Sequence, residues 1–352
     1  MNSPVTTPPQ VTIVVVPRER FSCTRESLES IYKNTNYPFK LVYVDGNSPA
    51  HIQHYLEAQA QEKGFELIRT DYYLSPNQAR NISLSHVNTK YLVFYDNDVI
   101  VTPGWLQRLV DSAEETEAAV VGPLICINQP VHELIHNAGG KTHIAEEKTG
   151  DSIRRRIYQK SQLCHRRVVD VPEELQQVQC DYVEFHCVLI RTDIFERTGL
   201  LDEGLLATRE HLDFCMVVSR AGGTIYCDRR SVVTYVQGPP FELPDLAFFM
   251  LRWSDAWELA SLKHFRQKWD LTEDKYFARR YERLGHRRNK AFIKPLINWL
   301  PLPLGKGLIE KIIVRIEKRL NLYISDRFAH KHPQPVPPPV SQEQQIEVSV
   351  SS

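Results

Sequence analysis

A doubly wound α/β fold built on a mixed, mainly parallel sheet is predicted by three features of the amino-acid sequence. Short apolar runs alternate with helical patterns over roughly the first 125 residues. Those runs are almost continuously apolar, as strands buried on both faces are. Helix-start signals follow directly on the ends of two of them. In such a sheet ligands bind in the crevice beyond the carboxyl ends of the strands, so the loops there are where function is sought.

Taken in order, VTIVVV (11–16) reads as the first strand and TRESLESIYKN (24–34) as the helix after it. KLVYVD (40–45) and HIQHYLEAQAQEKG (51–64) form the second strand and helix, FELIRT (65–70) and SPNQARNISLSH (75–86) the third. YLVFYD (91–96) and TPGWLQRLVDSAEE (102–115) form the fourth. Ser75-Pro76-Asn77-Gln78 combines an N-cap serine, proline at the first helical position and glutamine at the third, and Thr102-Pro103 repeats the first two signals. Asp45, the loop before Ser75 and Asp96-Asn97-Asp98 all fall at one edge. From about 128 to 180 the pattern is irregular and charged, which implies insertions or a flexible loop region. DYVEFHCVLIR (181–191) reads as a strand, followed by a short helix to Gly199, the helix REHLDFCMVVSRAGG and the strand TIYCDRRSVVTYV. Beyond Pro244 the chain turns helical, first aromatic, then basic, then amphipathic. The predicted organisation is a disordered start over 1–10, an α/β domain over 11–240 with halves 11–125 and 126–240, a helical extension over 241–330 and a disordered Pro, Gln and Ser rich tail over 331–352.

Lys plus Arg and Asp plus Glu both number 43, so no global field draws the chain to nucleic acid and an anionic ligand must be held locally. The seven cysteines are odd in number, scattered and without a CxxC pair, and read as reduced thiols. MNSPVTTPPQ has neither the charge nor the apolar stretch of a signal peptide, and no run approaches the ~18 apolar residues of a membrane span. A cytoplasmic protein is expected.

Two aspartates one residue apart at the end of a buried strand can form a solvated turn. At a ligand-binding edge, however, they repel each other unless a cation sits between them. Mg²⁺ or Mn²⁺ suits such a pair, taking one or two carboxylates and completing its shell with waters and ligand phosphates. A diphosphate ligand follows. A competing motif is His132-Glu133-Leu134-Ile135-His136, a literal H-E-x-x-H of zinc proteases. That motif needs a continuous helix, yet Pro130 precedes it and Gly139-Gly140 follows. Ala138-Gly139-Gly140-Lys141-Thr142 ends like a P-loop but has Ile135 where the first glycine belongs, and no G-x-G-x-x-G follows the first strand.

The motifs taken together resemble the family 2 glycosyltransferases with the GT-A fold, over residues 11 to about 236. VTIVVVPRER is similar to the family's first strand and nucleotide loop, which implies nucleotide-binding roles for Pro17 and Arg18. LVYVDGNS resembles the second-strand motif whose aspartate meets the nucleobase, here Asp45, and SPNQARN the segment from which Arg80 would approach the nucleotide. FYDNDVIVTPGWL looks like the metal-binding D-x-D motif. It implies a ribose or metal role for Asp96, direct coordination by Asp98, and a place for Asn97 in the donor site without a defined role. TREHLDFCMVVSRAGG resembles the helix that carries the base. The family's Glu-Asp-x-Asp stands here as Glu210-His211-Leu212-Asp213, so Glu210, His211 and Asp213 are the catalytic candidates, with either of the first two able to take the acceptor proton.

The resemblance implies inverting, metal-dependent transfer from a nucleotide-diphosphate sugar, a UDP-sugar above all, to a glycan, lipid-linked or other hydroxyl acceptor. A zinc metalloprotease and a non-catalytic carbohydrate-binding protein are the alternatives. His186 either faces the site or sits in the core, the core being preferred. Trp253, Trp257, Phe265 and Trp269 read as packing of a helix, or as a platform for a sugar. Leu308, Ile312, Ile316 and Leu320 make one stripe of a basic amphipathic helix that packs on the domain or lies in a membrane interface, so that 279–323 is the stretch for peripheral membrane contact.

Overall fold

The computed structural model describes residues 9–150, 152–237, 242–299 and 306–332. Expectations for 1–8 and for the tail beyond His332 lie outside these residues. Two compact units are present. The first comprises Met1–Ile144, Ile157–Asp202 and Glu210–Arg252, the second Ala145–Arg156, Glu203–Arg209 and Trp253–Ser352.

The first unit is α/β, as the alternation predicts. β1 (Val11–Val16), β2 (Phe39–Gly46), β3 (Glu66–Thr70) and β4 (Tyr91–Asp96) are interleaved with α1 (Thr24–Asn34), α2 (Ala50–Lys63) and α3 (Pro76–Leu84). β5 (Val99–Val101) and α4 (Trp105–Thr116) follow, then β6 (Val120–Ile127), β7 (Ile135–Asn137), β8 (Gly140–Thr149) and β9 (Ser152–Ser161), of which 140–144 and 157–161 belong to this unit, then β10 (Gln177–Cys180), β11 (Cys187–Arg191), α5 (Ile194–Thr198), α6 (Glu210–Arg220) and β12 (Ile225–Tyr235). The main sheet runs β10-β12-β6-β11-β4-β1-β2-β3. β4, β1, β2 and β3 are mutually parallel, while β11 enters antiparallel between β4 and β6. Every residue of β1 and β4 is buried. Each fully buried Val, Leu or Ile in such a strand contributes about 1.5–3 kcal/mol relative to exposure, which is why the apolar runs collapse into one layer.

Local chemistry sets the element ends. α3 starts on a complete capping box, with Ser75 and Gln78 satisfying each other's backbone N–H groups and Pro76 supplying the pre-set φ. The second signal serves differently from its sequence reading. α4 begins at Trp105 behind Gly104, whose φ is 77°. Thr102 is instead tied to β12, its N–H and hydroxyl both donating to the Val232 carbonyl at 3.3 and 2.8 Å.

Two further expectations are corrected. The irregular 128–180 stretch carries β7, β10 and the β8-β9 hairpin, whose charged faces mask the period-2 pattern. The strand expected over 181–191 is ladder-forming only from Cys187. The preceding stretch lies against β6 at Gly122, where an added Cβ would stand 2.6 Å from the Cβ of Val183. Only glycine permits that approach, and it sets the position of residues 184 to 186.

The second unit is helical, with α8 (Asp255–Lys268), α9 (Lys275–Tyr281), α10 (His286–Arg288), a π turn over 289–293, α11 (Lys294–Trp299) and α12 (Lys306–Lys331); α7 (Asp245–Arg252) closes the first unit. Arg288 is wholly buried and pins the unit together, donating to Asp255 Oδ1 of α8 at 2.8 Å, to Glu317 Oε1 of α12 at 2.5 Å and to the Trp253 carbonyl. Trp253, Trp257, Phe265 and Trp269 are buried, so the packing reading holds for them rather than the sugar platform. In α12 the reverse applies. Leu308, Ile312, Ile316 and Leu320 are all exposed, while Asn321 and Ser325 are buried, so the stripe is not packed on the protein.

Candidate active site

Two loops meet at the carboxyl edge of β1 and β4. Val16 pairs with Asp96 in the parallel ladder, so residues 17–20 and 96–98 leave the sheet side by side. Asn97 locks them together. Its N–H donates to the Val16 carbonyl, its Oδ1 accepts from the Arg18 N–H at 3.0 Å, and its Nδ2 donates to the Arg20 carbonyl at 2.8 Å and to Thr24 Oγ1 at 3.3 Å. Sequence reasoning placed Asn97 in the donor site without a role. Its geometry is that of a clamp holding both loops.

Asp96 and Asp98 are both buried but differ in surroundings. Asp96 receives the Arg80 guanidinium at 3.2 Å, faces Arg18 Nε at 3.5 Å and meets His186 Nδ1 at 3.0 Å. Burial opposes its charge, yet the His186 hydrogen bond and the two guanidinium groups outweigh it and hold the carboxyl below its ordinary pKa. Asp98 is wholly buried, and neither carboxylate oxygen has a hydrogen-bond partner. Burial, with the charges of Glu19 and Asp96 beside it, pushes this carboxyl well above its usual pKa. A buried acid with two unpartnered oxygens beside a second carboxylate is a costly arrangement unless a cation neutralises it. The donor set is oxygen-rich and fits a hard divalent ion.

The other predicted residues fall as follows. Pro17 and Arg18 lie in the loop after β1, both buried. Arg18 reaches across to Glu210 at 3.4 Å, and Arg252 approaches the same Oε1 at 3.4 Å. Burial disfavours the Glu210 carboxylate, but Arg252 and Arg18 hold its pKa below the ordinary value. Its second oxygen, Oε2, is buried and accepts no hydrogen bond. His211 follows at the first turn of α6, partly exposed, with the Tyr182 ring 6.0 Å away. Asp213 is buried one turn on. Arg80 is wholly buried beneath the Phe185 ring and pairs with Asp96, so it props the aspartate from behind. Asp45, at the end of β2, accepts from the Ser48 N–H and hydroxyl, both at 2.9 Å, and from Arg69, which orders the loop after β2.

Several residues were missed or misplaced by sequence reasoning. His186 faces the site rather than the core, with its ring stacked on Tyr235 at 4.0 Å. Glu19, buried, accepts from the Tyr235 hydroxyl at 2.8 Å. Glu184 stands between His136 Nε2 at 3.1 Å and His186 Nε2 at 3.4 Å. The H-E-x-x-H stretch is not a helix, because residues 131–134 form a turn and bridge and Ile135–Asn137 is strand β7. His132 has φ 64° and hydrogen-bonds Thr234 through its ring, so its ring is held apart from the zinc-protease arrangement.

Residues 12–166 match the family model described as Glycosyl transferase family 2. A stretch of 121 residues, 34% of this chain, is 28% identical to the O-antigen biosynthesis protein RfbC of Myxococcus xanthus and spans only 10% of that protein's length. Among solved structures, GalNAc-T7 with UDP, GalNAc and Mn²⁺ aligns over 85% of this chain and 59% of its own, at 16% identity and a TM-score of 0.50. The mannosyltransferase PcManGT from Pyrobaculum calidifontis, in complex with GDP-Man and Mn²⁺, aligns over 91% of this chain and 86% of its own, at 13% identity and a TM-score of 0.47. The sheet order and the first of these structures establish a GT-A type fold.

Proposed function

We propose that this chain, which carries a family 2 glycosyltransferase domain across residues 12–166, moves a sugar from a nucleotide-diphosphate donor to an acceptor hydroxyl with the help of a divalent cation. The observation that carries this reading is the Asp98 carboxylate, buried without a hydrogen-bond partner beside Asp96 at the sheet's ligand edge. Mn²⁺ or Mg²⁺, held by Asp98 with Asp96, would supply charge neutralisation for the departing diphosphate. Pro17 and Arg18 in the loop after β1 and Asp45 at the end of β2 stand where the nucleotide would lie, and Asn97 fixes the first of these loops against residues 96–98. A UDP-sugar donor and inversion at the anomeric carbon follow from the resemblance of the motifs to family 2 enzymes.

Glu210 takes the acceptor proton in this reading. Arg18 and Arg252 anchor one of its oxygens and keep it ionised at neutral pH, which leaves Oε2 to accept a hydroxyl proton during in-line attack. His211 and Asp213 complete the turn at the start of α6, and no covalent intermediate is required.

A thermal-shift screen of nucleotide sugars with and without Mn²⁺ tests the donor reading. A ligand at 100 times its Kd raises stability by about 2.7 kcal/mol, which is a melting shift of several degrees. One donor class is expected to produce that shift only when the cation is present. If none does, the donor reading fails.

The acceptor is a glycan or lipid-linked hydroxyl in this reading, and the enzyme works at the cytoplasmic face of a membrane. No helix among the described residues is long and apolar enough to cross a bilayer. The outward stripe of Leu308, Ile312, Ile316 and Leu320, with Lys311, Arg315, Lys318 and Arg319 on the same helix, has the composition of a helix lying in an anionic interface. The full chain is expected to co-sediment with vesicles containing phosphatidylglycerol. The Ile312→Asp, Ile316→Asp double variant should lose that binding and keep its melting temperature. Equal binding by the two proteins, or concentration-dependent dimerisation through the stripe, would exclude the membrane reading.

A further inference from the structure

His136 and Glu184 take no part in the donor reading and His186 enters it only through its Nδ1 contact with Asp96, and the geometry of the three points to a second metal site. We propose that these three side chains hold a zinc-class divalent cation, through His136 Nε2, a Glu184 carboxylate oxygen and His186 Nε2, with a fourth position open to solvent. The three donor atoms lie within 4.8 Å of one another. Bonds of about 2.1 Å at a tetrahedral angle set neighbouring ligand atoms about 3.4 Å apart. Glu184 Oε2 stands 3.1 Å from His136 Nε2 and 3.4 Å from His186 Nε2, and the second distance is long for a hydrogen bond but natural for an edge of a coordination tetrahedron.

The tautomer of His186 supports the same conclusion. Its Nδ1 lies 3.0 Å from Asp96 Oδ2, in a carboxylate that also meets the Arg18 and Arg80 guanidinium groups at 3.5 and 3.2 Å. Nδ1 therefore carries the proton and donates it to that carboxylate, which turns the Nε2 lone pair towards Glu184. A carboxylate that orients an imidazole whose other nitrogen binds metal is the usual second shell of such sites. The His186 side chain is 4% exposed, whereas Glu184 and His136 are 17% and 31% exposed, so the group has a rigid back and an open front. Two imidazoles and a carboxylate select a borderline-soft ion, unlike the oxygen set of Asp98 with Asp96. The second histidine of the H-E-x-x-H stretch is thus a ligand, but with partners the linear motif does not name.

Titration of the metal-free full chain with Co²⁺, read by its visible absorption bands, and melting with and without Zn²⁺ test the proposal. Neither readout depends on donor or transfer activity, so failure here is separable from failure of the glycosyltransferase reading. Wild type and Asp98→Asn are both expected to develop the strong absorption of tetrahedral cobalt and to be stabilised by zinc. His136→Ala and Glu184→Gln should melt like wild type without metal, show no zinc shift and bind cobalt about 100-fold or more weakly, beyond the 10–100-fold typical of outer-shell losses. The proposal is overturned if both ligand variants bind cobalt as wild type does, or if the band vanishes in Asp98→Asn alone.

Discussion

Asp98→Ala is expected to abolish cation-dependent donor binding while leaving the metal-free protein at least as stable as wild type. The two effects share one cause. In the free protein the Asp98 carboxylate is buried with no partner, and Glu19 and Asp96 add repulsion. Removing it relieves a desolvation cost of about 1–3 kcal/mol, partly offset by the small cavity left behind. With donor present the balance reverses, because a hard cation without that ligand cannot neutralise the diphosphate. A loss of about 10³-fold or more in kcat/KM corresponds to about 4 kcal/mol, within what one metal-mediated charge interaction supplies. Calorimetry and steady-state kinetics on the same preparation check both halves. A destabilised metal-free variant, or one that still binds donor in a cation-dependent way, would contradict the assignment. Such an outcome would make the acid structural, whereas the expected one places it among sites that trade stability for function.

The second large effect belongs to the start of α6. Glu210→Gln keeps the shape but removes the base, so kcat should fall by about 10²–10⁴-fold with donor affinity little changed. His211→Gln should cost about 10-fold or less, a bound set by the ordinary scale of a positioning contact. The pH profile separates the two residues. Arg252 and Arg18 hold the Glu210 pKa below its reference value of 4.5, so the active ionised form persists through neutral pH and is lost only as pH drops below that value. Imidazole bases as a class give an acidic limb nearer neutrality than carboxylate bases do. An acidic limb in the imidazole range together with a larger loss in His211→Gln would transfer the role to that residue.

How much of this was legible in the sequence depends on which half of the sheet is considered. β1 to β4 are continuous apolar runs joined by helices, and their buried faces write a plain signal. Because parallel strands all end at one edge, Asp45, Asp96 and Asp98 could be placed together from their positions alone. Beyond β6 the logic reverses. β11 runs antiparallel to β4, so the residues beside Asp96 are those that precede the strand. Glu184 and His186 therefore read as strand interior. His136 was hidden differently, since a helical motif drew it towards His132, whereas the chain there is strand β7. Arg80 was read from the sequence as approaching the nucleotide, whereas its burial and ion pair turn it to Asp96. Glu19 lacked any local pattern, its place being set by Tyr235 over two hundred residues later. The α12 stripe was visible as a periodicity, and its outward direction was not, because helical phase is set by the partner face through Glu317, Asn321 and Ser325.

The antiparallel entry of β11 also bears on how such a protein can change. β6 is parallel to β4, so β6 ends at Ile127 towards the ligand edge, and β11 starts from that same edge at Cys187. The excursion between them adds β7 to β6 and β10 to β12, and among the described residues its strands pair with none of β1 to β4. Its length and content can be exchanged without shifting the register of any donor-side strand. On the proposed function, β1 to β6 would then be a constant part and the excursion a cassette, exchangeable at two seams that lie on one edge of the sheet.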